Sequence, residues 1–360
     1  SAPDVYYART RDFPLIAKEQ LIIPLDDKID FGSTIFKDCS VTLADCQYDG
    51  KQYAATSKGN IGHIIWYNNK LFQEAGLKTP RELLAEDNWT WDTFLEAAIA
   101  INDTDNGIYG YGGLRALDWW LSTGKDILAF DADGAPINQM RDPDIMNAME
   151  FWRELSVGKH NVISPELTPV EQFRQGKVGM ILDGAWLASS QLEEMVGNGE
   201  ADFAPMPRYP GVDKHYSWGV YTALAIGNGA KNPDGARAYI LASLYSANAT
   251  AEERDSDPIL KAQAAKVREE QVARGYDDAD FAAQDFISTQ VIPSFCPSEK
   301  VAGITDYMEW VVCKTMRDQG SSYLTNLEIQ EDWLVDFIDV YNAEVRGVKP
   351  TATPDRKSVV

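Results

Sequence analysis

The sequence has few cysteines, few histidines and no long hydrophobic run, and each shortage excludes a class of protein. Its 360 residues include four cysteines and three histidines. Four scattered cysteines form no dense disulfide framework, and without a Cys-x-x-Cys pair there is no indication of a zinc ribbon or a thioredoxin-like site. No apolar run approaches the roughly 18 residues that a membrane-spanning helix requires.

The cysteines allow two interpretations. A disulfide between Cys39 and Cys46 would close a short loop in an oxidising compartment, whereas Cys296 and Cys313 lie far from that pair in the sequence. The alternative is four independent, reduced and buried thiols. We favour the four thiols and keep the disulfide as the second possibility.

Positively charged residues are also fewer than negatively charged ones. The chain has 33 Lys and Arg residues against 55 Asp and Glu residues, which gives a net charge of −22. Such a balance argues against nucleic acid or an anionic membrane surface as the main partner. The hydrophobic share of 44% and the charged share of 24% are typical of soluble globular domains. At roughly 150 residues per domain, the length predicts two domains.

The motifs of common catalytic and cofactor sites are absent as well. The glycine-rich dinucleotide and phosphate loops, the His-Glu-x-x-His zinc motif and the Gly-x-Ser-x-Gly nucleophile motif do not occur. His63, His160 and His215 are far apart and lack the spacing of metal ligands. The sequence therefore predicts no cofactor, no metal centre and no histidine-based catalysis.

What the chain does contain is an alternation of apolar strands and amphipathic helices. Helix starts are marked by residues typical of N-caps, including Thr90, Asp142 and Asn232. This alternation predicts an α/β protein, and the chain from about Ala247 onward is predicted to be almost wholly helical. The predicted strands are 3–8, 62–67, 178–182 and 218–226.

Five stretches of sequence, taken in order, resemble one known family. They are 2–5 with 23–27 (APDV and IPLDD), 48–53 (YDGKQY), 66–77 with 91–94 (WYNNKLFQEAGL and WDTF), 173–186 (FRQGKVGMILDGAW) and 223–233 (ALAIGNGAKNP). Together they span roughly two thirds of the chain. On these motifs the chain resembles the extracellular solute-binding proteins of ABC importers, specifically the sugar-binding, maltose-binding-protein-like family.

The resemblance implies a two-lobed α/β fold of the periplasmic-binding-protein type. Hinge strands cross between the lobes, a helical C-terminal part completes the fold, and a ligand is held in the interlobe cleft. It implies a first lobe of 1–66 plus 224–298 and a second lobe of 67–223 plus 299–350. Residues 351–360 would form a C-terminal tail.

Two departures from the family pattern affect the expected lobes. Family members begin with a strand, a helix and a second strand before the motif that opens this chain, so the leading βαβ portion of the first lobe is expected to be absent here. The helical stretch 251–285 is longer than the usual connection of the family. Both departures concern the first lobe and leave the five matching stretches intact.

A sugar requires flat aromatic faces for its C–H groups and polar groups for its hydroxyls. Trp186 and Asp183 follow a predicted strand, at the position where the family places a stacking aromatic, and we expect both to face the ligand. Trp119 and Trp120 point about 100° apart on a helix, so we expect one of them to face the cleft. Trp66, Trp89, Trp91 and Trp152 are assigned to packing because they lie on apolar stripes.

The remaining candidates lie after the first strand, on the return strand and in the C-terminal helices. Strands of open α/β sheets end at the ligand crevice, and charged side chains held there suit vicinal hydroxyls. The alternative for Asp12 is a helix cap, and for its neighbours a solvated loop. For Trp218, core and cleft are both open. These candidate ligand contacts are Arg9, Arg11, Asp12, Trp218, Tyr221, Tyr307 and Trp310.

The resulting functional hypothesis is a receptor with no enzymatic activity. It would capture a sugar or oligosaccharide and deliver it to the membrane permease subunits of an ABC importer. The resemblance implies a monomer outside the cytoplasm, extracellular or periplasmic, and membrane-anchored as a lipoprotein. The alternatives are a receptor of the same fold for another solute, such as a polyamine or an iron chelate, and a glycoside hydrolase with paired carboxylates.

Overall fold

Strands and helices alternate along the residues that the computed structural model describes, which are 3–9, 12–113, 115–131, 135–165, 169–301 and 303–346. The strands are β1 (Val5–Ala8), β2 (Gln47–Tyr48), β3 (Lys51–Gln52), β4 (Ala55–Thr56), β5 (Asn60–Ile61), β6 (His63–Asn68), β7 (Tyr109–Gly112), β8 (Leu128–Phe130), β9 (Pro136–Asn138), β10 (Val178–Gly184), β11 (Ala201–Ala204), β12 (His215–Val220), β13 (Ala223–Ile226) and β14 (Val291–Ser294).

The α-helices occupy most of the remaining described chain. They are α1 (Phe13–Lys18), α2 (Ser40–Ala44), α3 (Asn69–Glu74), α4 (Pro80–Ala85), α5 (Trp91–Ile101), α6 (Leu117–Leu121), α7 (Pro143–Ser156), α8 (Pro169–Arg174), α9 (Glu193–Gly197), α10 (Pro233–Asn248), α11 (Ala251–Ser256), α12 (Pro258–Ala273), α13 (Asp278–Gln290), α14 (Ile304–Tyr307), α15 (Lys314–Gln319) and α16 (Tyr323–Arg346). A π-helical stretch, Met308–Cys313, joins α14 to α15. Within the described residues, none of these helices has both the length and the apolar character needed to cross a membrane.

The predicted helix starts are confirmed by their caps. The Thr90 side chain accepts from the backbone N–H of Thr93 at the start of α5. In the same way Asp142 caps α7 and Asn232 caps α10. Asp12 occupies the N-cap position of α1 but makes no side-chain capping bond. The polar side chains at the other three starts satisfy backbone donors that an isolated helix leaves unpaired.

The described residues form three sheets of three or more strands. One sheet has the order β1–β13–β4, and another, here called the middle sheet, has the order β14–β12–β5. A four-stranded sheet has the order β11–β6–β10–β7, in which β10 runs antiparallel to β6 and parallel to β7. Strands β2 and β3, and β8 and β9, form separate hairpins. This mixture confirms the predicted α/β class.

The chain passes from sheet to sheet at two short breaks. Gly62 separates β5 of the middle sheet from β6 of the four-stranded sheet, and Tyr221 with Thr222 separates β12 from β13. The prediction of one long strand over 218–226 is therefore wrong. An unbroken apolar run carries no sign of a change of sheet, so the sequence pattern merged two strands into one.

The close packing at the first break depends on a glycine. A Cβ atom at Gly62 would lie 2.5 Å from the ring of Trp218, well inside van der Waals contact. The backbone N–H of Gly62 also donates to the carbonyl oxygen of Trp218. The absence of a side chain thus lets the indole ring lie directly on the backbone that links β5 to β6.

The prediction that the chain beyond Ala247 is almost wholly helical is wrong in one segment. Strand β14 lies between α13 and the C-terminal helices and pairs in parallel with β12, with Val291 opposite His215 and Ser294 opposite Trp218. The segment is only four residues long and contains Pro293, so it offers neither strand alternation nor enough length to be recognised.

The apolar core contains the residues that the sequence assigns to packing. Trp66, Trp89, Trp91 and Trp152 are all buried, which confirms that assignment. All four cysteines are free and buried, which confirms the interpretation as four thiols and not the disulfide alternative. Burial raises the pKa of the Cys39 thiol to about 11, so this side chain behaves as a small apolar core residue.

Candidate ligand-binding cleft

A cleft of about 440 Å³ opens where β1 ends and where β12 runs into β13. Segments that are far apart in sequence form its walls: the end of β1, the residues before α6, the β12–β13 junction and the chain after β14 together with α14 and the π-helical stretch. The aromatic lining residues are Tyr7, Trp218, Tyr221, Phe295 and Trp310, and the charged lining residues are Arg9, Arg115, Glu299, Asp306 and Glu309.

Two aromatic rings of the cleft are open to solvent. Tyr7 is 59% exposed and Trp310 is 56% exposed. Tyr221 is held more firmly, because its ring packs edge-on against Phe295 with centroids 5.4 Å apart. Its hydroxyl donates to the Asp45 carboxylate at 3.2 Å. The cleft therefore offers free ring faces beside a fixed aromatic corner.

Glu309 is a half-buried residue that links two walls of the cleft. Its carboxylate accepts the backbone N–H groups of Ala116, at 3.0 Å, and Leu117, at 2.5 Å. These are donors at the start of α6, where Ala116 has no side chain with which to cap the helix. Desolvation raises the pKa of Glu309 to about 7, although Arg115 and the two N–H groups act in the opposite direction.

Behind the cleft, His63 and Asp118 form a buried pair. Nδ1 of His63 lies 2.7 Å from Oδ1 of Asp118. Burial alone would raise the pKa of Asp118, but the charge and hydrogen bond of His63, together with Arg115, keep it below its ordinary value. The ring of His63 lies 4.3 Å from that of Trp218 and 5.9 Å from that of Trp186. The ring of His63 thus packs against Trp218 and lies near Trp186.

The same pair lacks the partner that catalysis would need. In the part of the chain that the structure describes, the His63 ring makes no hydrogen bond to a hydroxyl or thiol that it would activate as a nucleophile. Within those residues there is also no group of three or more His, Cys, Asp or Glu side chains arranged to hold a metal ion. The geometry suits ligand binding and structural support.

Several sequence-predicted candidates lie in or beside the cleft. Arg9, Trp218, Tyr221 and Trp310 line it. Arg115, which belongs to no recognised sequence motif, approaches Trp218, with its guanidinium 5.9 Å from the centroid of the indole ring. The sequence thus supplies four residues that share this cleft although they come from three distant segments.

Two further candidates lie at the end of β10. Trp186 is 51% exposed, its ring lies 5.9 Å from that of His63, and it is not among the residues that line the cleft. A Cβ atom at Gly184 would lie 2.0 Å from the Trp186 ring, so glycine is required there. Asp183 precedes this glycine and accepts its N–H at 2.6 Å. Both candidates remain predictions as ligand contacts.

Two of the remaining candidates, Asp12 and Tyr307, are not among the residues that line the cleft. Asp12 is exposed at the start of α1 and is not part of the cleft lining. Tyr307 packs within the protein, because its ring stacks on Trp333 at 4.2 Å and its hydroxyl donates to Gln330. The role of Tyr307 as a cleft wall stays a prediction. Arg11 lies outside the described residues.

The expectation that Trp119 or Trp120 faces the cleft is wrong. Both side chains are 0% exposed, since α6 is packed against α7 on one side and β12 on the other. The Trp119 ring contacts Phe94 at 5.0 Å, and Nε1 of Trp120 donates to the Asp126 carboxylate at 2.9 Å. Because both α7 and β12 pack against α6, adjacent side chains that point in different directions are both buried.

The sequence reasoning missed six of the ten aromatic and charged residues that line the cleft. Tyr7 could have been found, because it lies two residues before Arg9 and therefore on the same side of an extended strand. Phe295 and Glu299 carried no usable signal because they follow an unrecognised strand. Asp306 and Glu309 lie in the C-terminal helical segment, where only Tyr307 and Trp310 were expected to contact the ligand.

Comparison with known proteins gives a consistent assignment. Residues 1–242 match the family model described as bacterial extracellular solute-binding protein. No curated protein sequence matches the chain. The structure resembles the sugar-binding protein MalE of Xanthomonas citri, with a TM-score of 0.65 and 16% identity over 96% of this chain and 86% of that one.

Two other solved structures extend the range of ligands among proteins of this fold. The substrate-binding protein Lmo0181 of Listeria monocytogenes, in complex with cycloalternan, has a TM-score of 0.62 and 19% identity over 96% of this chain and 86% of that one. UgpB of Mycobacterium tuberculosis, in complex with glycerophosphocholine, has a TM-score of 0.64 and 18% identity over 94% of this chain and 85% of that one. At these identities the likeness concerns the fold.

The family match covers more than half of the chain, and the fold agrees with it. The family consists of proteins that bind solutes outside the cytoplasm, which confirms the prediction of a binding protein and not an enzyme. The predicted two-lobed fold is confirmed by the same comparisons. The chain belongs to the bacterial extracellular solute-binding proteins.

Proposed function

We propose that this protein is the receptor of an ABC importer, which captures a sugar or oligosaccharide in the cleft and delivers it to membrane permease subunits. The observation that carries the proposal is the pairing of open aromatic faces with charged side chains in one cleft. Trp310 and Tyr7 present exposed rings, and Arg9, Glu299 and Asp306 line the same space. Carbohydrates have this combination of apolar C–H faces and a rim of hydroxyls.

The mixture of charges supports a ligand without a large net charge in the main cleft. The guanidinium groups of Arg9 and Arg115 line the cleft together with the carboxyl groups of Glu299, Asp306 and Glu309, and the difference in charge is small because the pKa of Glu309 is raised to about 7. Guanidinium and carboxylate groups each form paired hydrogen bonds to neighbouring hydroxyls, the first as donors and the second as acceptors. A polyamine or an iron chelate would be better served by a uniformly acidic cleft or by clustered ligating side chains.

Domain closure would bring in the residues at the end of β10. We propose lobes of 1–66 plus 224–298 and 67–223 plus 299–350, joined by the crossing strands β6 and β13, with the hinge motion taken up at the breaks that precede these strands, Gly62 and Tyr221 with Thr222. Closure about these breaks would move Trp186 and Asp183 toward the cleft. The support is their position beside His63, whose ring also contacts the cleft residue Trp218.

A second candidate is a receptor of the same fold for a solute other than a sugar. It is favoured by the likeness to the glycerophosphocholine-bound protein, whose TM-score of 0.64 equals or exceeds those of several sugar-bound neighbours.

We also propose a monomeric, lipid-anchored receptor at the outer face of the membrane, in keeping with the family. Fractionation of the native host tests this location, and a purely cytosolic pool would contradict it.

A thermal-shift screen tests the proposed function. The probes are maltose, mannobiose, β-1,6-galactobiose, tagatose, cycloalternan and glycerophosphocholine. A ligand at 100 times its Kd stabilises the folded state by about 2.7 kcal/mol, which raises Tm by several degrees. Binding of a saccharide is the expected result, and a shift with glycerophosphocholine alone would favour the second candidate.

Two controls sharpen the screen. Tyr239→Ala removes an aromatic side chain that is 59% exposed on α10, outside the cleft lining, and should leave every shift unchanged. Trp310→Ala should diminish the shifts. Incubation with the same oligosaccharides, followed by product analysis, should show no cleavage, and turnover would contradict a receptor. If no probe raises Tm, the proposed ligand class is wrong.

A further inference from the structure

A second, smaller cavity lies behind Trp310, next to the main cleft. It has a volume of about 30 Å³, and it is lined by Arg115, Trp152, Glu309, Trp310, Lys314 and Arg317. Three of these residues, Arg115, Glu309 and Trp310, line the main cleft as well. This cavity, here called the side pocket, is therefore a lateral extension of the cleft at its C-terminal helical wall.

The side pocket is lined by three cations and one carboxylate. The carboxylate, Glu309, already accepts two backbone N–H groups at the start of α6. Nε of Arg317 is 3.5 Å from Asp318, and neither of its η nitrogens has a hydrogen-bond partner within the described residues. Lys314 also pairs with Asp318, so one acidic residue outside the pocket serves two cations.

A buried donor adds to the same environment. Trp152 is 1% exposed, and its Nε1–H has no hydrogen-bond partner among the described residues. Leaving such a donor unpaired costs free energy, and buried polar atoms without a partner are uncommon. Positive charge, unused guanidinium donors and an unpaired indole N–H thus occur around one small space.

The volume limits what the side pocket holds. A water molecule needs roughly 10–15 Å³ by this measure, so about 30 Å³ accommodates two waters or one small planar group but no sugar ring. A carboxylate has that size, and it accepts paired hydrogen bonds from a guanidinium in fixed geometry.

We infer that the ligand of the main cleft carries a carboxylate, as a uronic acid residue does, and that the side pocket receives this group beside Arg115 and Arg317. The inference rests on the proposed function, because it assigns a chemical class to the saccharide bound there. The rest of the saccharide lies in the main cleft, where positive and negative charges nearly balance. The protein as a whole is strongly acidic, so the local cations must offset a long-range repulsion of the acidic ligand.

Paired saccharides that differ in the acidic group test the inference. Isothermal titration of the full chain compares α-1,4-galactobiose with α-1,4-digalacturonate, and β-1,4-mannobiose with β-1,4-dimannuronate, at 0.15 M salt, where charges are screened beyond about 8 Å. We expect the acidic member of at least one pair to bind roughly tenfold more tightly, in line with hydrogen bonds to charged groups. This preference should shrink as salt is raised.

Arg317→Gln separates the side pocket from the main cleft, because Arg317 lines only the former. The variant should reduce the preference for the acidic member to within about threefold and leave the affinity for the neutral member unchanged. Arg174→Gln is the matched control, since it removes an exposed guanidinium that pairs with Glu171 far from either cavity. Lys314→Gln provides a second variant on the more exposed side of the side pocket.

The outcomes distinguish the inference from the proposed function. Equal affinity for both members of each pair, or a neutral member that binds more tightly, overturns the inference and leaves the receptor assignment intact. An Arg317→Gln variant that matches Arg174→Gln also overturns it. If neither neutral nor acidic saccharides bind, the proposed function fails, and the inference fails with it.

Discussion

Glu309 is expected to make the folded protein more stable in mild acid than in mild base. The carboxylate lies between the cleft and the start of α6 and accepts the N–H groups of Ala116 and Leu117. Desolvation raises its pKa to about 7, above the ordinary value of 4.5. The folded state therefore holds the proton more tightly than the unfolded chain does. The stability linked to this group is fully present below pH 4.5 and is lost as the pH rises through 7.

The magnitude follows from the size of the pKa difference. Each pKa unit corresponds to about 1.4 kcal/mol, and between pH 5 and pH 8 the group accounts for a loss of about 2 to 3 kcal/mol. Other buried carboxyl groups also titrate in this range, so the wild-type profile alone is not diagnostic. The difference between wild type and Glu309→Gln isolates the contribution of this one side chain, because glutamine does not ionise.

Urea denaturation at pH 5 and at pH 8 measures the effect. The free energy of unfolding of Glu309→Gln should fall by about 2 to 3 kcal/mol less than that of the wild type across this interval. The control is Glu96→Gln, which replaces an exposed glutamate on α5 and should follow the wild-type profile. If Glu309→Gln and wild type changed in parallel between the two pH values, the burial of this carboxylate would have been misjudged.

Three further substitutions test the roles of individual tryptophans. Trp310→Ala should weaken binding of the saccharide found in the thermal-shift screen about tenfold without lowering Tm, because covering about 60 Å² of exposed ring contributes about 1.5 kcal/mol; unchanged affinity would remove Trp310 from the site. Trp186→Ala should weaken the same binding by about 1–3 kcal/mol, by analogy with stacking on bases, with little change in stability. A loss of several degrees in Tm at unchanged affinity would make Trp186 a packing residue. Trp120→Phe should lower the unfolding free energy by about 1–3 kcal/mol, because it removes the buried indole hydrogen bond to Asp126, which keeps the backbone N–H groups of Ile127 and Ser298, and it should not affect affinity.

Much of the fold could be predicted from the sequence because the patterns that mark its helices and strands are local. The caps at Thr90, Asp142 and Asn232 are formed within a few residues of the helices they start, and the apolar strands are continuous runs. The failures concern features without a local signal. Nothing in the run from 218 to 226 marks a change of sheet, and a four-residue strand with an internal proline lacks a recognisable period.

The cleft was only partly accessible because its contacts are formed between distant segments. Glu309 and the N–H group of Ala116 meet across 193 positions of sequence, and no pattern in either segment announces the pairing. Trp119 and Trp120 were misjudged for a related reason. Their helix suggested one buried and one open direction, but α7 and β12 cover it on both sides.

This division predicts which residues matter for ligand specificity. Arg9, Trp218 and Tyr221 lie at strand ends, where sequence reasoning expects ligand contacts in any protein of this fold. Arg115, Glu309 and Arg317 lie outside those positions. The features that would separate one ligand from another, above all the cationic side pocket, are thus built by the C-terminal helical wall packing against α6. The preference of the protein for one ligand over another should accordingly change more with substitutions in that wall than with substitutions at the strand ends.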